Sequence, residues 1–267
     1  MRAHIARRYG AALDDAAVSA LLLRRAAALS MKPDPYVTRF ASDNDFDAAA
    51  VIAEITVGET YFFRHASQLR ACADIAFARP ALRILSAGCA TGEELYSLAI
   101  LAREAGVRAE LLGVDVNPHS IALARRGRYG PWSLRDTPAP VQRRWFCDGE
   151  LDASIRAMVR FECKNLVDDD DALWSPARFD VIFCRNVIMY FDADTQAAVI
   201  ERCARALAID GALFLGHAET VRTRNPALEV RARGDAFYYA RVPRTAADDE
   251  IAAPIAAARA LVAMSID

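Results

Sequence analysis

Apolar side chains over residues 3–31 recur at helical spacing, with Leu13, Val18, Leu21, Leu22 and Leu29 on the apolar side, so two helices are expected there. Asp14 or Asp15 supplies a helix start, and Lys32-Pro33-Asp34-Pro35 ends the run. Residues 36–40 and 46–55 read as shorter helices. The stretch VGETYFFR at 57–64 then breaks the period with three successive aromatics, which suits a linker lining a core. From residue 82 onward the pattern changes to short apolar runs separated by helical stretches. LRILSA at 82–87, ELLGVDV at 110–116, VRFEC at 159–163, FDVIFC at 179–184 and ALFL at 212–215 read as buried strands. That alternation predicts an α/β fold with a parallel sheet, FDVIFC being apolar enough to sit centrally. Residues 228–230 and 236–242 are expected to close it as an antiparallel hairpin. Residues 127–160, rich in turn residues and with a hairpin expected at Asp148-Gly149, interrupt the alternation as an insertion.

Composition adds bounds. With 267 residues, 54% hydrophobic and 25% charged, the chain has the balance of a soluble globular protein with a sizeable core. A formal net charge of -2 gives no general drive toward nucleic acid. No apolar stretch reaches the length of a membrane span and the first residues do not form a signal peptide, so a cytoplasmic location without membrane insertion is expected. Six cysteines without C-x-x-C spacing are expected to be buried free thiols, and four scattered histidines give no metal-ligand spacing, so no metal is expected. Residues 1–32 carry six basic side chains against Asp14 and Asp15, a segment suited either to an acidic partner, with Arg24 and Arg25 as candidate contacts, or to a solvated basic face.

The candidate chemistry lies where the strands end. After the first strand, Gly88 and Gly92 allow the backbone close to a ligand, while Thr91 and Glu94 have the spacing of a capping box for the next helix. Ala90 and Glu94 stand where a dinucleotide fingerprint needs further glycines, which weakens a pyrophosphate reading. Acids at Glu93 and Glu94 suit a cationic ligand such as S-adenosylmethionine. Asp115, 23 residues after Gly92 at the end of the next strand, is placed to accept from ribose hydroxyls. Asn165 follows a strand end, where an amide can pair with adenine or simply form a turn. Arg185 and Asn186 emerge from the central strand beside the same cleft, and Arg64 beside its aromatic cluster needs an anion or acceptors.

With these residues in place, the chain resembles the CheR family of chemotaxis-receptor methyltransferases. The resemblance rests on ETYFFR at 59–64, SAGCATGEELYSLA at 86–99, GVDVN at 113–117, Asn165-Leu166, FCRNVIMYFD at 183–192 and LGHAE at 215–219, in family order over residues 5–242. It implies an N-terminal all-helical domain over residues 1–66 and a Rossmann-like class I methyltransferase domain over 67–242. A small β-subdomain is inserted at 127–160, and 243–267 forms a tail or linker. It further implies S-adenosyl-L-methionine as cofactor, contacted by Thr60, Arg64, Gly88, Glu93, Asp115, Asn165, Leu166, Arg185 and Asn186, with Arg64 and Tyr190 beside the transfer chemistry. Gly58 stands where some members have a polar contact and is not assigned. The implied reaction makes glutamate methyl esters on the cytoplasmic helices of chemoreceptor-like proteins, with S-adenosyl-L-homocysteine as product and a monomeric enzyme. Methylation of another protein or a small molecule, or a regulatory module that only binds the cofactor, are the competing readings.

Overall fold

The computed structural model describes residues 1–43, 46–222 and 225–243. The expected tail at 243–267 therefore lies outside the described residues apart from Pro243. Four helices come first: α1 (Arg2–Tyr9), α2 (Asp15–Ala28), α3 (Pro33–Ser42) and α4 (Ala48–Ile55). Asp14 caps α2 by accepting from Ala17 N, one of its two expected starts, and prolines occupy the first turn of α3, where their missing N–H groups cost nothing. Ile5, Val18, Leu21, Tyr36, Phe40 and Val51 form the core of this helical part.

Inside that core, Arg25 makes a two-pronged ion pair with Asp47, at 2.7 and 2.9 Å, and Tyr36 donates to the same carboxylate. Arg24 pairs with Glu54. The expectation that Arg24 and Arg25 face an acidic partner is thus corrected at Arg25. Its charge is neutralised and largely buried, holding α2 onto the start of α4, while Arg24 shares Glu54 on the surface.

After the linker, α5 (Ala66–Ala76) leads into β1 (Leu82–Ala87), α6 (Glu93–Glu104), β2 (Ala109–Asp115) and α7 (Pro118–Arg126). The insertion follows as α8 (Ala139–Trp145), the two-residue strands β3 (Phe146–Cys147) and β4 (Glu150–Leu151), and α9 (Ala153–Arg156). Its hairpin turns at Asp148-Gly149, both with positive φ, as the sequence indicates. Before Val159, strand structure in the insertion is confined to that hairpin and a single bridge from Arg128 to Glu150, so the expected β-subdomain is mainly helix and turn.

The chain then gives β5 (Val159–Cys163), β6 (Phe179–Cys184), α10 (Ala193–Ala206), β7 (Leu207–Leu215), β8 (Leu228–Arg233) and β9 (Ala236–Arg241). These strands form one seven-stranded sheet in the order β5-β2-β1-β6-β7-β9-β8, parallel through β7 and antiparallel at β9 and β8. Successive side chains serve opposite faces. Ile84, Val181 and Phe214 join the core under α5 and α6, whereas Leu85, Ile182 and Leu213 join the core under α10. Strand order reverses between β1 and β6, and the cleft beyond the carboxyl ends of such strands is where α/β sheets bind ligands. Of the cysteines, Cys72, Cys89, Cys184 and Cys203 are buried free thiols; Cys147 and Cys163 are exposed, correcting the expectation for those two.

Candidate functional site

At that reversal lies a cavity of about 330 Å³, bounded by the loop after β1, the end of β2, the segment after β5, the loop after β6 and the 55–64 linker. It is lined by Thr60, Arg64, Gly88, Asp115, Asn165, Leu166, Arg185, Asn186 and Tyr190, nine residues expected from the sequence, brought together from five separate stretches of chain. Glu93 is not brought there. The helix begins after Gly92, at φ 93°, with no side-chain cap, so the expected capping box does not form and the two acids diverge around the first turn. Glu93 turns inward, accepting from Thr91 Oγ1 at 2.7 Å and Ser133 Oγ at 3.0 Å, and burial pushes its carboxyl upward in pKa. Glu94 is the acid that lines the cavity, fixed by Ser86 Oγ at 2.7 Å.

Gly88 has φ 81°, and an added Cβ would lie 2.3 Å from Val187 Cγ2, so the loops after β1 and β6 can close on each other only around a glycine. The amides of Gly88 and Cys89 both donate to Val114 O, which ties the loop to the end of β2. Asp115 accepts from Ala90 N and Asn117 N, each at 2.8 Å, one bond per oxygen. Burial raises its pKa and these amides oppose the rise. An ionised carboxylate has about four acceptor positions, so two remain for a diol.

Arg185 is buried beneath the cavity. Its Nη2 donates to Arg64 O at 3.0 Å, and its Nη1 lies 3.0 Å from Glu94 Oε2 as an ion pair not aligned as a hydrogen bond. Its Nε has no protein partner, and burial lowers its pKa. Arg64 donates from Nη1 to Glu59 O at 2.6 Å and lies over the Tyr61 ring rather than pairing with Glu93. Phe63 and His65, on either side of it, both have positive φ, as do Ala90 and Asn186 elsewhere in the site. Such backbone strain persists only where the surroundings enforce it.

Two anchors were not foreseen from the sequence. Glu219 is buried and accepts from Asn186 N at 2.7 Å, Gly216 N at 2.8 Å and Met189 N at 3.2 Å, so one carboxylate pins the loop that carries Asn186 and Tyr190. Its signal is an acid closing the short LGHAE segment beyond a strand end; a buried carboxylate needs several donors. The second anchor is a strap, residues 10–12. Ala12 N donates to Tyr190 O at 2.8 Å, Ala11 bridges to Phe191, and Asn165 Nδ2 donates to Arg8 O at 2.6 Å. Tyr9 and Ala11 thereby roof the cavity from the helical domain.

The donor set fits S-adenosyl-L-methionine. Glu94 would suit an ammonium, Asp115 retains acceptor positions that would suit a ribose diol, Asn165 and Leu166 would offer a polar and an apolar surface to adenine, and the orphaned Nε of Arg185 would suit a carboxylate. Among the described residues no group of His, Cys, Asp and Glu has the arrangement of a metal site, and no helix is long and apolar enough to cross a membrane.

Comparison with known proteins identifies the family. The sequence profile of the CheR methyltransferase SAM-binding domain matches residues 58–235. The probable biofilm formation methyltransferase WspC of Pseudomonas aeruginosa is 36% identical over 227 residues, covering 78% of this chain and 53% of WspC. Chemotaxis protein methyltransferase 2 of Vibrio cholerae is 33% identical over 219 residues, covering 75% of each chain. The match thus spans only about half the length of WspC. The glycine loop, the acid at the end of β2 and the sheet order find their explanation in descent: this chain belongs to the CheR methyltransferases, whose cofactor is S-adenosyl-L-methionine.

Proposed function

We propose that the protein methylates the side-chain carboxylate of glutamate residues in the cytoplasmic helices of a chemoreceptor-like protein, leaving a methyl ester and S-adenosyl-L-homocysteine. One observation carries this reading: the cavity lining holds cations and hydrogen-bond donors for an anionic acceptor and no free base. Its carboxylates, Asp115, Glu94 and Glu59, are engaged by amides, by Ser86 and by Arg135 respectively, and burial pushes the Cys89 thiol far upward, out of nucleophilic use. An acceptor with an unperturbed pKa of about 4.3 is already ionised at neutral pH and needs no base. When bound, the cofactor supplies a methyl group on cationic sulfur. One carboxylate oxygen takes that methyl, the C–S electron pair stays on sulfur, and no proton moves.

The chain's work is then to position. Arg64, restrained by Glu59 O and by Arg185 through its own carbonyl, holds the acceptor carboxylate; Tyr190, on the loop pinned by Glu219, donates to it and aims one oxygen. Orientation of this kind can contribute on the order of 7 kcal/mol. Thr60, Gly88, Glu94, Asp115, Asn165, Leu166, Arg185 and Asn186 hold the cofactor, with Glu94 in the place expected for Glu93. The test is incubation with methyl-labelled cofactor and a chemoreceptor cytoplasmic fragment. Base-labile label on glutamate is the expected result. Base-stable label, label on a small molecule only, or cofactor binding without transfer each overturns the proposal.

A further inference from the structure

The side of the cavity mouth facing the insertion carries an ordered stack that the transfer chemistry does not use. The Arg135 guanidinium lies 3.7 Å from the Tyr61 ring centroid and 4.0 Å from that of Trp132, sandwiched between the two. Its Nη1 donates to Trp132 O at 2.6 Å and its Nη2 to Glu59 Oε1 at 2.7 Å. Tyr61 in turn lies under Arg64, and Glu59 lines the cavity. A continuous ladder of Arg64, Tyr61, Arg135 and Trp132 therefore runs from the reaction site to the outside of the protein.

The outer rung is held rigidly. Ser133 O accepts from Phe62 N at 2.9 Å, Ser133 Oγ donates to the buried Glu93, and Gln142 Nε2 ties the carbonyls of Leu134 and Thr137. Yet Trp132 is 68% exposed, whereas Trp145 and Trp174 are 8% and 0% exposed. Val57, Met189 and Tyr190, which line the cavity, are exposed large apolar residues as well. A fixed tryptophan with an open face, tied through Arg135 to Glu59 at a site whose own lining exposes further apolar groups, is the arrangement of an interface anchor, because its ordering cost is met before the partner arrives. A glutamate reaching Arg64 brings its neighbours in the chain against this rim. In a helix those neighbours include side chains three and four positions away on the same face.

We propose that the Tyr61–Arg135–Trp132 stack, with Val57 and Met189, is the docking wall for the substrate segment that presents the reactive glutamate. The wall selects a helix carrying an apolar residue one turn from that glutamate. The inference rests on the glutamate-methylating reading above and deepens it to the recognition of the substrate backbone and flanks. Arg135 is the positioning residue, keeping the indole upright through stacking and its bond to the Trp132 carbonyl. Trp132 contacts the substrate and takes no part in the transfer.

Trp132 provides its own reporter, because it is the exposed one of the three tryptophans. Acrylamide quenching of the full chain saturated with S-adenosyl-L-homocysteine is measured with and without the receptor cytoplasmic fragment. Transfer to the same fragment from labelled cofactor is followed in parallel. The expected result is that the fragment reduces quenching toward the level of Trp132→Phe without fragment, while cofactor product alone does not. Trp132→Ala is expected to raise the KM for the fragment about 10- to 30-fold, with kcat and cofactor Kd within about twofold, and Trp132→Phe to recover much of the loss. Transfer that proceeds with Trp132 fully quenchable, or a Trp132→Ala change that appears in cofactor Kd instead of KM, overturns the docking wall alone. Quenching protection that rises with protein concentration and needs no fragment replaces it with self-association. Absence of any transfer to the fragment overturns the glutamate reading, and the inference falls with it.

Discussion

The cavity has two walls, and they differ in what holds them. The strand-end wall, comprising Gly88 to Glu94 and Asp115, is continuous with the sheet: Gly88 N and Cys89 N bond Val114 O, and Asp115 takes the amides of Ala90 and Asn117. The wall made by the 57–65 linker and the 186–191 loop has no sheet behind it. It depends on a few contacts reaching in from elsewhere: Arg185 to Arg64 O, Ser97 to Phe63 N, Glu219 to Asn186 N and Met189 N, and the backbone of residues 11–12 and Ser133 to Tyr190, Phe191 and Phe62. Backbone ladders are hard to perturb by one substitution, whereas a wall with single anchors is disabled by losing one. The proposed labour is divided unevenly between them: the sheet-borne wall serves the cofactor alone, whereas the anchored wall adds Thr60 and Asn186 to the cofactor and also aims the acceptor.

Substitution can break that contrast. The largest effect is expected from Gly88→Ala, which combines a side chain at φ 81° with a 2.3 Å overlap on Val187 and so forces the two walls apart. Left-handed strain and overpacking together amount to about 3 kcal/mol. Calorimetric melting should show lower stability, and titration with S-adenosyl-L-homocysteine should show affinity reduced by about tenfold or more. Next is Glu219→Gln, which leaves an amide N–H facing a backbone donor inside the loop. An unsatisfied buried donor costs about 1–3 kcal/mol. The kcat should fall roughly 5- to 150-fold, with a smaller change in cofactor Kd; equal changes in both would merge the two walls into one functional unit.

A crossed pair sharpens the division further. Asp115→Ala should weaken cofactor binding by about 1.5–3 kcal/mol, tenfold or more, read by calorimetry. Tyr190→Phe keeps the ring and loses one directing bond, so kcat should fall about 5- to 30-fold with cofactor Kd unchanged, read by steady-state labelling. Reversal of that pattern would remove both assignments. The smallest effect concerns pH. His65, which follows Arg64 and stacks edge-on against His217 at 4.1 Å, has its pKa lowered to about 4, first by burial and then by Arg185. Between about 4 and the ordinary 6.5 the unfolded chain binds a proton that the folded chain refuses. Stability contributed at this site is complete above pH 6.5 and is lost as pH falls toward 4. Denaturant midpoints across that window should slope upward with pH, and His65→Gln should flatten the slope.

The first wall was legible in the sequence because its determinants are local. Glycines at a strand end, an acid at the next strand end and a period-two apolar pattern fix β1, β2 and their loop without knowledge of the rest. The hairpin at Asp148-Gly149 and the helices over residues 2–28 were legible for the same reason. The helix α5 escaped because Ala66, Ala71, Ala73 and Ala76 give its apolar face little contrast. Glu93 and Glu94 are adjacent and so point about 100° apart around the helix, and which of them faces the cavity rests on where the helix starts, just after Gly92 with its positive φ. Arg25 looks like surface charge in the sequence because its partner Asp47 lies 22 residues away along the chain, and Tyr36, which donates to the same carboxylate, lies 11 residues from it, beyond any local pattern. Glu219 and the strap at residues 10–12 act across the whole molecule, and only the folded chain reveals what they hold.

The strap also gives the helical domain a share in the binding equilibrium. Its backbone pairs to Tyr190 and Phe191, and Arg8 O engages Asn165, so the roof of the cofactor site and the first helix form one hydrogen-bonded unit. A ligand that stabilises Asn165 and the Tyr190 loop thereby stabilises the attachment of the helices, and by linkage anything that grips the helices in their attached position tightens the hold on the ligand. Cofactor loading and engagement of the amino-terminal helices are in this sense two readings of a single free energy.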